Sequence, residues 1–244
     1  MRDYELETHN RIEFIQGVLK AARADGIVYG NSGGKDCTLV GILGKMACTN
    51  TLGLIMPCGS KRNYESDRKD AESIACQYNI DTRVIDLSGV KDLFAGAVGR
   101  NTRISESAGV NIAPRLRMIT LYAVAASENR LVAGTGNRSE RHLGYFTKWG
   151  DGACDFNPIA DLTVTEIYEF LRYLKAPEFI ISKAPSAGLY DGQTDEDDMG
   201  VTYRSVDDFL LKGATNERDL AIIEKYHSSS GHKRVLPLLY GEPV

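Results

Sequence analysis

The chain has 244 residues, 43% of them hydrophobic and 25% charged, which suits one sizeable core and excludes an intrinsically disordered chain. Its 29 Lys and Arg against 33 Asp and Glu leave a formal charge of −4, so no polyanionic or nucleic-acid partner is expected. The sequence has no run of about 18 apolar residues and no signal-like apolar stretch near its start, so no membrane partner and a cytoplasmic location are expected.

In chain order, apolar residues at helical spacing predict a helix over residues 8–22, closed by Gly26, then a short buried strand over 27–29. The alternation repeats: helix 36–47 and strand 51–56, helix 66–78 and strand 83–87, helix 115–128 and strand 131–133. Strands separated by helices need crossover connections, which predicts an α/β fold: a doubly wound parallel sheet with helices on both faces, in a single domain over 1–244. Helices over 163–174 and 217–228 follow, and between them the stretch 182–204, rich in Gly, Ser and Asp, reads as irregular. An irregular stretch of that length inside a compact domain is a lid, a binding loop or a disordered segment, and a mobile lid over 182–204 is expected here. The five cysteines lie at least ten residues apart, with no CxxC or zinc spacing, and are expected to be reduced thiols.

Ligands of such folds collect at the carboxyl ends of the strands, here the loops beginning at Gly30, Pro57, Ser88 and Gly134. The first of these, Gly30-Asn31-Ser32-Gly33-Gly34-Lys35-Asp36-Cys37, joins strand to helix. Adjacent glycines let backbone N–H groups converge on an anion, the helix N-terminus adds a positive dipole end, and Lys35 adds a full charge, so the loop reads as a phosphate cradle. It is not a Walker A loop: Tyr29 stands where the first glycine is required, and Asp36 where a Ser or Thr is. Charge is also uneven, with residues 111–150 at +4 and residues 151–211 at −9, an asymmetry suited to a small anionic ligand beside a metal or to two solvated faces of opposite sign.

The pattern SGGxD followed by a small polar residue resembles the pyrophosphate loop of enzymes that cut ATP between its α and β phosphates. A second block carries Gly134-Thr135-Gly136-Asn137-Arg138-Ser139-Glu140 and then GYFTKWGDG over residues 144–152. Together these resemble the NAD synthetases, over about residues 8 to 236. The resemblance implies an adenine nucleotide alpha hydrolase-like fold and a C–N ligase that amidates nicotinic acid adenine dinucleotide (deamido-NAD) with ammonia through an acyl adenylate, giving NAD, AMP and pyrophosphate.

It also implies residue roles. ATP would be bound by the loop from Gly30 to Cys37, by Thr135 and by Ser186, and Mg²⁺ by Asp36 and Glu140, whose hard oxygen donors suit that cation. Arg115, Lys148, Asp155, His232 and Lys233 match positions that bind the dinucleotide substrate, and the family implies a homodimer with that site near the subunit interface. Cys37 departs from the serine that usually ends the loop, and Val164 stands where many relatives carry an ATP-contacting lysine; a neighbour such as Lys183 is a candidate replacement. Glutamine-using relatives carry a large N-terminal amidase domain, whereas 29 residues precede Gly30, so free ammonia is the expected donor. The rival readings are another ATP-pyrophosphatase, such as a tRNA-modifying thiolase, and an ATP-binding sensor without turnover. The thiolase would be expected to show a basic RNA face and catalytic or metal-binding cysteines, which this acidic chain with scattered cysteines does not.

Overall fold

A computed structural model describes residues 2–59, 65–183, 194–237 and 239–241. In chain order the described elements are α1 (Tyr4–Ala22), β1 (Gly26–Gly30), α2 (Lys35–Ala47), β2 (Thr51–Ile55), α3 (Ser66–Gln77), β3 (Asp81–Val84), α4 (Ser88–Gly99), α5 (Glu106–Val110), α6 (Ile112–Ser127), β4 (Arg130–Ala133), α7 (Arg138–Leu143), α8 (Val164–Tyr173), α9 (Glu178–Ile181), α10 (Asp195–Met199), α11 (Tyr203–Lys212) and α12 (Glu217–Ser229), followed by a 3₁₀ turn, Gly231–Lys233.

The four strands form one parallel sheet in the order β3-β2-β1-β4. Side chains alternate across it: Ile27 and Tyr29 face the core under α1, α2 and α8, while Val28, Leu52, Leu54 and Val132 face the one under α6. That is the two-sided burial of a doubly wound sheet. The chain reverses direction across the sheet between β1 and β4, and the two loops leaving those strands, one with the glycines and one with Thr135, therefore open side by side.

Several element boundaries differ from the sequence reading. Helix α1 ends through Arg23, in the left-handed region at φ 53°, so Gly26 is not its cap; Gly26 starts β1, where a Cβ would stand 2.4 Å from the Asn50 carbonyl oxygen. Strand β3 begins two residues earlier than predicted, and the Ile85 and Leu87 amides carry its ladder on to Ile55 and Pro57. Helix α6 begins three residues earlier than predicted, at Ile112, and accommodates Pro114 in its first turn, where no intrahelical N–H is required. The stretch 182–204 is not irregular throughout: α10 and the start of α11 lie within it, and Asp195, Met199, Val201 and Tyr203 are buried. Residues 184–193, with Ser186 and the centre of the expected lid, lie outside the described residues.

Tyr29 fixes α2 against the sheet. Its ring occupies space that only glycine leaves, since a Cβ at Gly41 would stand 2.3 Å from the hydroxyl and one at Gly53 3.2 Å. The hydroxyl is fully buried and has no hydrogen-bond partner among the described residues. A buried donor without a partner costs about 1–3 kcal/mol, so Tyr29→Phe is expected to leave stability unchanged or raise it, by up to about 1 kcal/mol, as read from chemical denaturation. A loss of more than that would mean that the hydroxyl has a bonding role.

Candidate functional site

One cavity of about 630 Å³ runs along the carboxyl edge of the sheet, within the range of small-molecule sites. Its walls include Ser32, Lys35 and Asp36 of the first loop, Thr135 and Glu140 beyond β4, and Lys233. All the loop residues from Gly30 to Cys37 except Gly33 line it.

The loop's shape follows from its residues. Asn31 is buried and holds the turn from inside: its Oδ1 accepts the Gly33 N–H at 3.3 Å and its Nδ2 donates to the Ala71 carbonyl at 3.2 Å. Gly33 has φ 69°, and a Cβ there would lie 2.5 Å from the Asp67 carbonyl oxygen and 2.9 Å from the Ala71 nitrogen. Lys183 ties the loop to α3, its Nζ lying 3.2 Å from the Gly33 oxygen, 2.8 Å from Asp67 and 2.6 Å from Asp70. Cys37 is turned into the loop rather than toward the cavity mouth. It is 3% exposed, and its Sγ accepts the Gly34 N–H at 3.2 Å, closing the first turn of α2. A thiol so enclosed is a poor nucleophile, contrary to what a sulfur-transfer enzyme requires.

Asp36 and Glu140 are brought together by one buried residue, Asn137. Its Nδ2 donates to Asp36 Oδ1 at 3.1 Å, while its backbone N–H donates to Glu140 Oε2 at 3.1 Å within the capping box that starts α7. Burial, and next the nearby Asp36, push the Glu140 carboxyl well above its ordinary value. Two crowded carboxylates with too little opposing charge suit a hard cation. Among the described residues no three or more His, Cys, Asp or Glu side chains are arranged to hold a metal; Asp36 and Glu140 offer two hard carboxylates, a donor set that fits Mg²⁺ where phosphate oxygens supply the rest.

Sequence reasoning passed over two further residues of this wall, Asp195 and Arg117, and a buried tyrosine behind it, Tyr203. Asp195, 3% exposed, accepts the Tyr203 hydroxyl at 3.1 Å, and burial, then Glu140, hold that phenol well above its usual value and therefore protonated. Arg117 donates from Nε to the Met56 carbonyl at 3.1 Å, at the end of β2. No local motif marks any of them, because they reach the site only by long-range packing. Val164 is 4% exposed in an apolar cluster that also contains Tyr203.

Of the five residues expected to bind the substrate, four form one cluster, and Lys233 among them lines the cavity. Arg115 Nε donates to the Lys148 carbonyl at 3.3 Å, Lys148 Nζ donates to the His232 carbonyl at 2.6 Å, and Lys233 Nζ donates to the Gly144 and Phe146 carbonyls, each at 2.9 Å. Asp155 stands apart. Its carboxylate accepts the Val132 N–H at 2.7 Å and the Tyr122 hydroxyl at 3.2 Å, and Tyr122 lies two turns along α6 from Arg115, roughly 10 Å by helical rise.

Helix α7, which carries Glu140, is backed by α12 through a stacked pair, His142 on His227, with ring centroids 4.2 Å apart. Burial, then His227, Arg234 and Arg138, hold the His142 imidazole down to about 4. The folded state thus resists protonation that the unfolded chain accepts near 6.5, so this contact stabilises above that pH and loses its contribution as pH falls toward 4. The melting temperature is expected to drop across that window, and His142→Gln to make the drop shallower; an identical profile in the variant would remove His142 as a cause.

The NAD synthase family matches residues 7–237. An ammonia-dependent NAD(+) synthetase of Carboxydothermus hydrogenoformans is 43% identical over 238 residues, covering 96% of this chain and 97% of that protein. Among solved structures, an NMN synthetase from Francisella tularensis superposes with TM-score 0.93 at 35% identity, covering 99% of this chain and all of that one. An ammonia-dependent NAD synthetase from Campylobacter jejuni superposes with TM-score 0.81 at 30% identity, covering 98% and 99% of the two chains. With the phosphate loop and the carboxylate pair opening on one cavity, and with likeness of this extent, the chain belongs to the NAD synthase family.

Proposed function

We propose that the chain is an ATP-dependent C–N ligase that activates deamido-NAD as an acyl adenylate and amidates it with ammonia, giving NAD, AMP and pyrophosphate. The observation that carries this reading is the meeting of Asp36 and Glu140 at Asn137, on the wall of the cavity that the phosphate loop opens into. In the first step a carboxylate oxygen of the substrate bonds to the α-phosphorus of ATP, and the bond to the bridging oxygen breaks to release pyrophosphate. The converging N–H groups of the loop and the N-terminus of α2 hold the phosphates in line. Asp36 and Glu140 would hold Mg²⁺, which would supply positive charge to offset the phosphate oxygens as one anion approaches another. In the second step the ammonia nitrogen bonds to the acyl carbon, AMP leaves with the electron pair of the broken C–O bond, and the surplus proton passes to solvent.

The cluster of Arg115, Lys148, His232 and Lys233 supports binding of the substrate's phosphates. The five cysteines, all unpaired, are consistent with a cytoplasmic location, and no described helix is long and apolar enough to cross a membrane. A homodimer is part of this proposal. Helix α4 has no buried residue and presents Val90, Leu93 and Phe94, while Ile119, between Arg115 and Tyr122 on α6, is 66% exposed. Apolar side chains grouped in this way fit a second copy of the chain. Leu93→Asp is expected to convert a dimer to a monomer in sedimentation equilibrium; an unchanged mass would place the interface elsewhere.

A second reading is favoured by the overlay on the Francisella tularensis protein, whose name makes it an NMN synthetase. Here the same chemistry would act on nicotinic acid mononucleotide, with the basic cluster receiving its single phosphate. Parallel assays of AMP, pyrophosphate and amide formation with each acid and ammonium decide the matter. Preference for deamido-NAD in kcat/KM supports the first reading, preference for the mononucleotide the second, and ATP binding without AMP release under either condition would overturn both.

A further inference from the structure

The loop pattern SGGxD leaves the position before its aspartate open, yet here it is a lysine that the fold buries at the centre of the site. Lys35 is 6% exposed and lines the cavity. Its Nζ lies 2.7 Å from Asp36 Oδ2 and 5.6 Å from the centroid of the Tyr203 ring, whose hydroxyl donates to Asp195. Burial opposes the charge on this ammonium, and Asp36 and Glu140 more than offset it. Both oxygens of Asp36 are thus occupied, Oδ1 by Asn137 and Oδ2 by Lys35.

Asp36 holds this ammonium directly and Glu140 acts on it from close by, so two carboxylates share one cation at a place where a divalent ion would match their charge. An ion that takes Asp36 Oδ2 competes with the lysine for that oxygen, by contact and by charge. Once displaced, the ammonium stands at the first turn of α2, where the loop N–H groups converge, and the nearest new negative charge is the nucleotide's phosphate. Lys183, the other lysine at the loop, is placed differently, since Asp67, Asp70 and the Gly33 carbonyl all hold it and none of them belongs to the carboxylate pair.

We propose that Lys35 is an internal counter-cation of the Asp36–Glu140 pair, which competes with a divalent ion while the site is free of nucleotide and turns to the nucleotide phosphates when the ion displaces it. The inference rests on the reading of Asp36 and Glu140 as the metal-holding residues. It makes two effects of one substitution run in opposite directions: removing the ammonium tightens binding of the metal alone and weakens binding of ATP. A side chain that merely filled space would, on removal, weaken both.

The test is titration of the full-length, nucleotide-free protein with Mn²⁺, following free Mn²⁺ by electron paramagnetic resonance, alongside the KM for ATP at saturating Mg²⁺. Lys35→Met is expected to bind Mn²⁺ at least about fivefold more tightly, because a charged competitor for Asp36 is gone. Its KM for ATP should rise by about tenfold, with a smaller change in kcat. Lys35→Gln, read in the same way, serves if the methionine variant melts below the assay temperature, and Lys35→Arg, which keeps the charge, should not tighten Mn²⁺. If Asp36→Asn and Glu140→Gln bind Mn²⁺ as the parent does, the metal assignment itself fails. If those two lose Mn²⁺ while neither neutral variant at position 35 tightens it, the counter-cation proposal is overturned and the metal assignment stands.

Discussion

Asp36→Asn and Glu140→Gln are each expected to lower kcat by about a hundredfold and to raise the Mg²⁺ concentration that half-saturates the reaction. A neutral amide is a poor ligand for a hard cation, and several kcal/mol of phosphate neutralisation go with it, at about 1.4 kcal/mol per factor of ten. The substitutions are nearly isosteric, so an amide oxygen at position 140 can still accept the Asn137 N–H that caps α7. Folding should therefore persist. The melting temperature of Glu140→Gln should stay level or rise, because burial and Asp36 both disfavour the charged form of that carboxyl. Turnover measured against Mg²⁺, with melting curves of the same samples, checks both halves. Unchanged Mg²⁺ dependence in the two variants would remove them from the metal site.

Gly33→Ala is expected to produce the other large effect, at least a tenfold rise in the KM for ATP together with a melting temperature lowered by several degrees. The residue sits at φ 69°, where a side chain costs about 1–2 kcal/mol, and its new methyl would meet the Asp67 oxygen at 2.5 Å and the Ala71 nitrogen at 2.9 Å. Both are backbone atoms of α3 and cannot rotate away, so the loop has to lift. Lys183→Met should act in the same direction more mildly, since it removes the tie between loop and helix without forcing a clash. A KM for ATP unchanged in Gly33→Ala would show that the loop's curvature is not what holds the phosphates. A change in kcat alone would point to alignment rather than binding.

Much of the architecture was legible in the residues themselves. Alternating apolar strands and amphipathic helices are local patterns, so the parallel sheet could be read from them, and the glycine loop with its lysine and aspartate marks a strand-to-helix turn wherever it occurs. Helices α4, α10 and α11 were harder. Glycines interrupt α4, whose inner face is thin, Ala95 packing on the core while Val90, Leu93 and Phe94 stay exposed, and α10 is a single turn of four acids and a methionine.

The site divides along the same line. Asp36, Glu140 and the basic cluster could be named only through the resemblance to the NAD synthetases, since by spacing alone they read as a helix cap, a solvated helix residue and surface charges. Only the tertiary structure decided that Asn137 serves both carboxylates, that the Cys37 thiol closes its own loop, that Asp155 lies apart from the other substrate residues, and that Lys35 rests on Asp36 beside Tyr203 and Asp195. Local spacing sets which elements form and where their ends lie. The direction a side chain takes from a helix's first turn, and the partner it meets there, depend on elements a hundred or more residues away, which become neighbours only when the sheet is assembled.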